Sequence, residues 1–137
     1  MHRIPTPATF RGPAEWFTGD VYGTYIYQGE EPSRARLALV RFTPGARTAW
    51  HRHAVGQTLH VTDGIGYVQA RGGEVITMRA GDTVYTPPGE WHWHGATGST
   101  VMCHLALWEG AGPDATEPET EWGALVGEDE YPGDLTA

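Results

Sequence analysis

The chain has 137 residues, with 39% hydrophobic and 19% charged, so it is long enough for one buried core and too apolar to be disordered. Nine basic residues against 17 acidic ones give a formal net charge of -8, which argues against nucleic acid and against anionic membrane surfaces as partners. Cys103 is the single cysteine, which rules out an intrachain disulfide or a cysteine metal cluster and fits a reducing cytoplasm.

The first 20 residues read as an arm leading into the body, and they hold no apolar stretch of the signal-peptide kind. From about residue 21 to 108, short runs rich in Val, Tyr, Thr, Leu and Ile alternate with Gly, Pro and Asp, and helical periodicity is almost absent. The predicted strands are Tyr22–Tyr27, Arg36–Thr43, Thr58–Asp63, Gly66–Arg71, Glu74–Met78, Thr83–Thr86, Trp91–Ala96 and Val101–Leu107. Asp63-Gly64 and Gly72-Gly73 are predicted turns between them. Eight short strands at this spacing predict one all-β sandwich or barrel over residues 1–137, with no linker dividing it. Residues 110–137 form an acidic, Gly-rich tail, in which Trp122, Leu125, Val126 and Tyr131 are expected to dock as a short helix. No run approaches 18 apolar residues, so no membrane span is expected.

Six of the seven histidines fall between positions 51 and 104. Residues two apart in a strand share a face, so His51 and His53 can reach one ion, and His92 and His94 form a second such pair. Gln57 offers an amide oxygen near the start of the next strand. If Gln57 points inward, Leu59 and Val61 follow it and His60 faces solvent. On the last strand Met102, His104, Ala106 and Trp108 share one face, and Val101, Cys103, Leu105 and Leu107 share the other; parity leaves open which face holds the pocket. Trp50, Trp91, Trp93 and Trp108 are candidate pocket walls, although alternation with the histidines assigns some of them to core or interface.

Two strings carry a resemblance. Gly45-x5-His51-x-His53-x3-Gln57-x6-Gly64 resembles the first cupin motif, with Gln in place of the usual Glu. Gly81-x5-Pro87-x-Gly89-x2-His92 resembles the second, with Ala96 where the final Asn is usual. Gly12–Gly19, Pro44–His53 and Pro87–Ala96 are further similar to small bacterial cupins that include manganese-dependent (R)-hydroxynitrile lyases. The resemblance implies a cupin jelly-roll β-barrel with one divalent metal held by His51, His53, Gln57 and His92. Mn²⁺ is the leading expectation, with Fe²⁺, Zn²⁺ or Ni²⁺ as alternatives. It also implies that His94, His104 and Thr48 line a substrate pocket, and that the protein is a homodimer or homotetramer.

Three neutral imidazoles and an amide leave the metal charge uncompensated, which favours Lewis-acid chemistry on a bound oxygen. The leading expectation is a lyase that splits α-hydroxynitriles into a carbonyl compound and HCN, with His94 and His104 as proton carriers and Thr48 orienting a small-molecule substrate. The alternatives are a metal-dependent dioxygenase or isomerase of a small oxygenated metabolite, and a non-catalytic metabolite-binding cupin.

Overall fold

A computed structural model describes residues 1–135, and these contain twelve β-strands and no α-helix. The strands form a single curled sheet. Its first half joins β1 (Phe10–Arg11), β3 (Val21–Gln28), β4 (Ala35–Phe42), β11 (Met102–Glu109) and the front of β7 (Gln57–Ala70), with β9 (Thr83–Thr86) on β7's other edge. Its second half joins β8 (Ile76–Arg79), the rear of β7, β10 (His92–Ala96), β5 (Arg47–Thr48) and β2 (Phe17–Thr18). β6 (His51–His53) pairs with β10 on one side and with β12 (Thr120–Trp122) on the other. No helix among the described residues is long and apolar enough to cross a membrane.

β7 is the hinge of this architecture and the place where the sequence expectation fails. Asp63-Gly64 is not a hairpin turn. The strand runs on through it for 14 residues, and its front pairs with β11 and β9 while its rear pairs with β10 and β8. The register against β11 shifts at Cys103/His104, opposite the bend, as a β-bulge. Gly64 makes the bend possible. Its φ is +77°, and a Cβ there would overlap the carbonyl of Val101. The local signal for a turn therefore marks a strand changing sheets, a distinction that depends on a partner strand about 40 residues away. Gly72, by contrast, does turn the chain, at φ +78°.

Between the sheet halves lies an apolar core of Val21, Phe42, Leu59, Val61, Val68, Met78, Ala96, Met102 and Ala106. Burying each larger side chain of this set contributes about 1.5–3 kcal/mol. The alternation along β11 is strict, with Met102, His104 and Ala106 buried and Cys103, Leu105 and Leu107 partly or fully exposed. Leu59 and Val61 are buried with Gln57, and His60 is exposed, as parity requires.

The arm and the tail are built differently from the expectation. The arm contributes two short strands, and the tail contributes β12 where a short helix was expected. β6 presents a free edge of backbone N–H and C=O groups, and pairing there satisfies the tail's backbone without the cost of nucleating a helix in a Gly- and Pro-rich segment. Arg47 secures the tail further along. Its guanidinium donates to the Val126 carbonyl at 3.1 Å and to Glu128 Oε1 at 2.9 Å, and lies 4.2 Å from the centre of the Tyr131 ring. Tyr131 in turn donates its hydroxyl to the Ala96 carbonyl at 2.7 Å.

Candidate metal centre and cavity

β6 and β10 run antiparallel with His51 opposite His92, so the alternation within each strand turns their histidines to the concave face of the sheet. The ring centroids of His51 and His92 are 4.3 Å apart, and those of His51 and His53 are 5.2 Å apart. One ligand nitrogen from each of His51, His53 and His92 falls within 4.8 Å of the others, and all three residues are buried. Gln57 enters from the start of β7, its Oε1 3.1 Å from His92 Nε2.

The hydrogen bonds around these rings test whether a cation fits. Nδ1 of His51 lies 2.9 Å from the Ala49 carbonyl, and Nδ1 of His92 lies 3.0 Å from the Glu90 carbonyl. A carbonyl only accepts, so each Nδ1 carries the proton and each Nε2 carries a lone pair. For His92 that lone pair faces the amide oxygen of Gln57, and two acceptors that close repel each other unless a cation lies between them. Nε2 of His53 is buried with no partner at all. Two donors bonded at right angles to an ion at about 2.1 Å would stand about 3 Å apart, as Gln57 Oε1 and His92 Nε2 do. The four groups fit a divalent metal.

His94 and His104 stand beside this set. His94 follows two residues after His92 on β10 and His104 comes from β11, with His104 Nε2 and His94 Nδ1 3.0 Å apart. The remaining nitrogens of the pair, His94 Nε2 and His104 Nδ1, are buried without partners. Phe42 packs against both rings, 5.8 Å and 5.4 Å between centroids. Thr48 accepts the backbone N–H of His94 at 3.2 Å, which fixes where β10 presents that ring. Burial holds all five imidazoles neutral. It lowers His51 and His94 well below the usual histidine range, helped by the neighbouring imidazoles, and it brings His53 to about 3 and both His92 and His104 to about 4.

A cavity of about 500 Å³ opens onto these groups, lined by Thr48, His51, His53, Gln57, His94 and His104 together with a largely apolar and aromatic wall. That wall corrects the sequence reading. Trp108 does line the cavity, but Trp50, Trp91 and Trp93 do not; Trp50 and Trp93 are packed with Tyr67 and Val126 in a second core on the opposite face, with Trp91 against it. Trp93 sits between two inward histidines, and strand alternation sends it outward to that core. The cavity's other indoles come from the arm and the tail. Trp16 stacks on Trp122 at 5.0 Å, and Trp122 stacks on His51 at 4.7 Å. The sequence reading assigned neither to the site, because nothing in the local pattern pairs residue 122 with residue 51.

Residues 38–108 match the sequence model of the cupin domain, which is more than half of the chain. The chain is a cupin. It is 49% identical over 109 residues to an (R)-mandelonitrile lyase of Granulicella tundricola, covering 80% of this cupin and 83% of that protein. The crystal structure of a cupin-like protein from Thermotoga maritima superposes with a TM-score of 0.79 at 36% identity, covering 88% of this cupin and 89% of that chain. A shorter match of 51 residues, 43% identical, joins 37% of this cupin to 15% of a gentisate 1,2 dioxygenase of Aquipseudomonas alcaligenes.

Proposed function

We propose that this cupin is a metal-dependent lyase that cleaves α-hydroxynitriles to a carbonyl compound and HCN. The observation that carries the reading is a hydrogen-bonded imidazole pair, His94 and His104, whose outer nitrogens have no partner, standing beside a three-histidine site in one largely apolar cavity. The similarity to an (R)-mandelonitrile lyase over four fifths of the chain supports it.

His51, His53, His92 and Gln57 would hold the metal, and Mn²⁺ or Fe²⁺ suits a set that mixes imidazoles with an amide oxygen, while Zn²⁺ or Ni²⁺ competes where supply allows. When bound, the ion supplies Lewis acidity that lowers the pKa of a substrate hydroxyl. The protein's own groups do the rest. His94, neutral through burial, accepts the hydroxyl proton at Nε2, while its Nδ1–H donates to His104 Nε2 and stabilises the charge it gains. The oxygen's electron pair forms the carbonyl, the bond to the nitrile carbon breaks, and that bond's electrons leave with cyanide. The proton held on the histidine pair then passes to cyanide, giving HCN and restoring the neutral pair. Thr48 fixes His94 through its backbone, and the aromatic walls exclude water and admit a neutral, flat substituent.

The test is metal analysis of the purified protein with mandelonitrile cleavage measured before and after chelation. Activity is expected to vanish with the metal and return on adding Mn²⁺. Cleavage that persists in the fully stripped protein would rule out the reading. The local match to a gentisate dioxygenase favours one alternative, an oxygen-consuming reaction of the Fe²⁺-loaded protein, and oxygen uptake without cyanide release identifies it.

The same reading includes self-association, with Cys103, Leu105 and Leu107 on β11 and Val101 just before it meeting a second copy. Val101 and Leu107 are exposed large apolar residues, and such a row is stabilised by burial between subunits. Light scattering after size exclusion is expected to give a dimer or tetramer that Leu105→Asp dissociates. A wild-type monomer at micromolar concentration contradicts this part.

A further inference from the structure

Two of the three clustered imidazoles take their tautomer from the backbone, since the Ala49 and Glu90 carbonyls fix the protons of His51 and His92 on Nδ1. His53 has no such carbonyl. Its Nδ1 meets the hydroxyl of Thr120 at 3.1 Å, from a residue 67 positions further along the chain. The contact follows from strand pairing, because β12 runs against β6 with Thr120 opposite His53, Glu121 opposite Arg52 and Trp122 opposite His51. All three pairs are in contact through their side chains: Arg52 binds Glu121 at 2.7 Å and Trp122 stacks on His51. On its other side β6 is paired with β10 at a single position.

A hydroxyl, unlike a carbonyl, can donate or accept. When His53 Nδ1–H donates to Thr120 Oγ1, Nε2 keeps its lone pair and can take a cation. With the proton on Nε2 it cannot.

We propose that Thr120 is a positioning residue that holds His53 in its metal-binding tautomer, so that the tail strand, outside residues 38–108 of the domain match, is a working part of the metal centre. The inference rests on the metal-site reading and is independent of the lyase reaction. It also gives the tail a function that its acidic, Gly-rich composition does not announce.

The experiment compares the full-length protein with Thr120→Val and Thr120→Ser, titrating Mn²⁺ against a competing chelator. Long-range ¹H–¹⁵N spectra of the metal-free proteins report which ring nitrogen of His53 carries the proton. Thr120→Val is expected to weaken Mn²⁺ binding about 10- to 100-fold, as loss of an outer hydrogen bond to a ligating histidine does, and Thr120→Ser to restore it. The spectra are expected to show His53 protonated at Nδ1 in wild type and the Ser variant, and at Nε2 in the Val variant. Should the Val variant not fold, Thr120→Ala removes the same hydroxyl, with the same result expected. Unchanged affinity without the hydroxyl overturns the proposal, as does a Ser variant as weak as Val. Wild-type His53 protonated at Nε2 overturns it even where Mn²⁺ binds. A wild type that binds no Mn²⁺ removes the metal-site reading along with it, whereas tight metal binding without cyanide release removes only the lyase.

Discussion

His94→Ala is expected to reduce kcat/KM for mandelonitrile cleavage by about 10²- to 10⁴-fold, the range for loss of a positioned general base. Metal content should stay at the wild-type level. His94 lies outside the group of three nitrogens that converge on one point, its Nδ1 is engaged with His104, and its buried Nε2 has no partner. Among the described residues, the other fully buried, unpartnered side-chain nitrogens lining the cavity are His104 Nδ1 and the metal-facing Nε2 of His53. His104→Ala should cost less, because it removes the support of the charged His94 and leaves the proton acceptor in place. Measured together, kinetics and metal analysis separate the roles. A His94→Ala protein that has lost its metal identifies His94 as a ligand, and one with unimpaired turnover removes it from the chemistry.

The metal-free protein is expected to lose stability steeply as the pH falls below about 6.5. Five buried imidazoles have folded pKa values below the ordinary histidine value, with His53 near 3 and His92 and His104 near 4. The unfolded chain protonates them near 6.5 and the folded chain does not, so in the interval the unfolded state binds more protons. Stability is therefore full above about pH 6.5 and is lost progressively below it, to about pH 4 for His92 and His104 and to about pH 3 for His53. Each group contributes about 1.4 kcal/mol per pH unit of that interval. Denaturant unfolding of stripped protein at pH 7.5 and 5.5 measures this directly. Bound metal should raise stability at pH 7.5 and amplify the acid loss, since protons then compete with the ion for the same nitrogens. A midpoint that does not move between the two pH values would show that these rings are solvated.

The two effects share a cause. A cavity that keeps imidazoles dry keeps them neutral, which leaves their lone pairs free for an ion, and the same dryness makes the fold sensitive to acid. His60, on the same strand as Gln57, faces solvent beside Thr83 and lies outside the cavity.

Period-two alternation and turn chemistry are local properties, and the sequence by itself determined what depends on them. It specified an all-β chain, the inward facing of Gln57, Leu59 and Val61 against the outward His60, and the two His-x-His pairs able to serve a common ion. The motif resemblance, confirmed by the domain match, turned those pairs into a cupin centre. Partnership between distant strands was left to the tertiary structure. Gly64 reads as a turn until β11 is placed beside it, and then becomes the bend, next to a bulge at Thr62, that lets β7 change sheets. His94 and His104 are ten residues apart in the chain, but only the closure of β10 and β11 around the cavity brings Nδ1 of one and Nε2 of the other to 3.0 Å. The tail is the clearest case. Trp122 on His51 and Thr120 on His53 follow from an edge-strand pairing across 67 and more residues, fixed by the backbone groups that β6 leaves open, and no pattern within either segment encodes it.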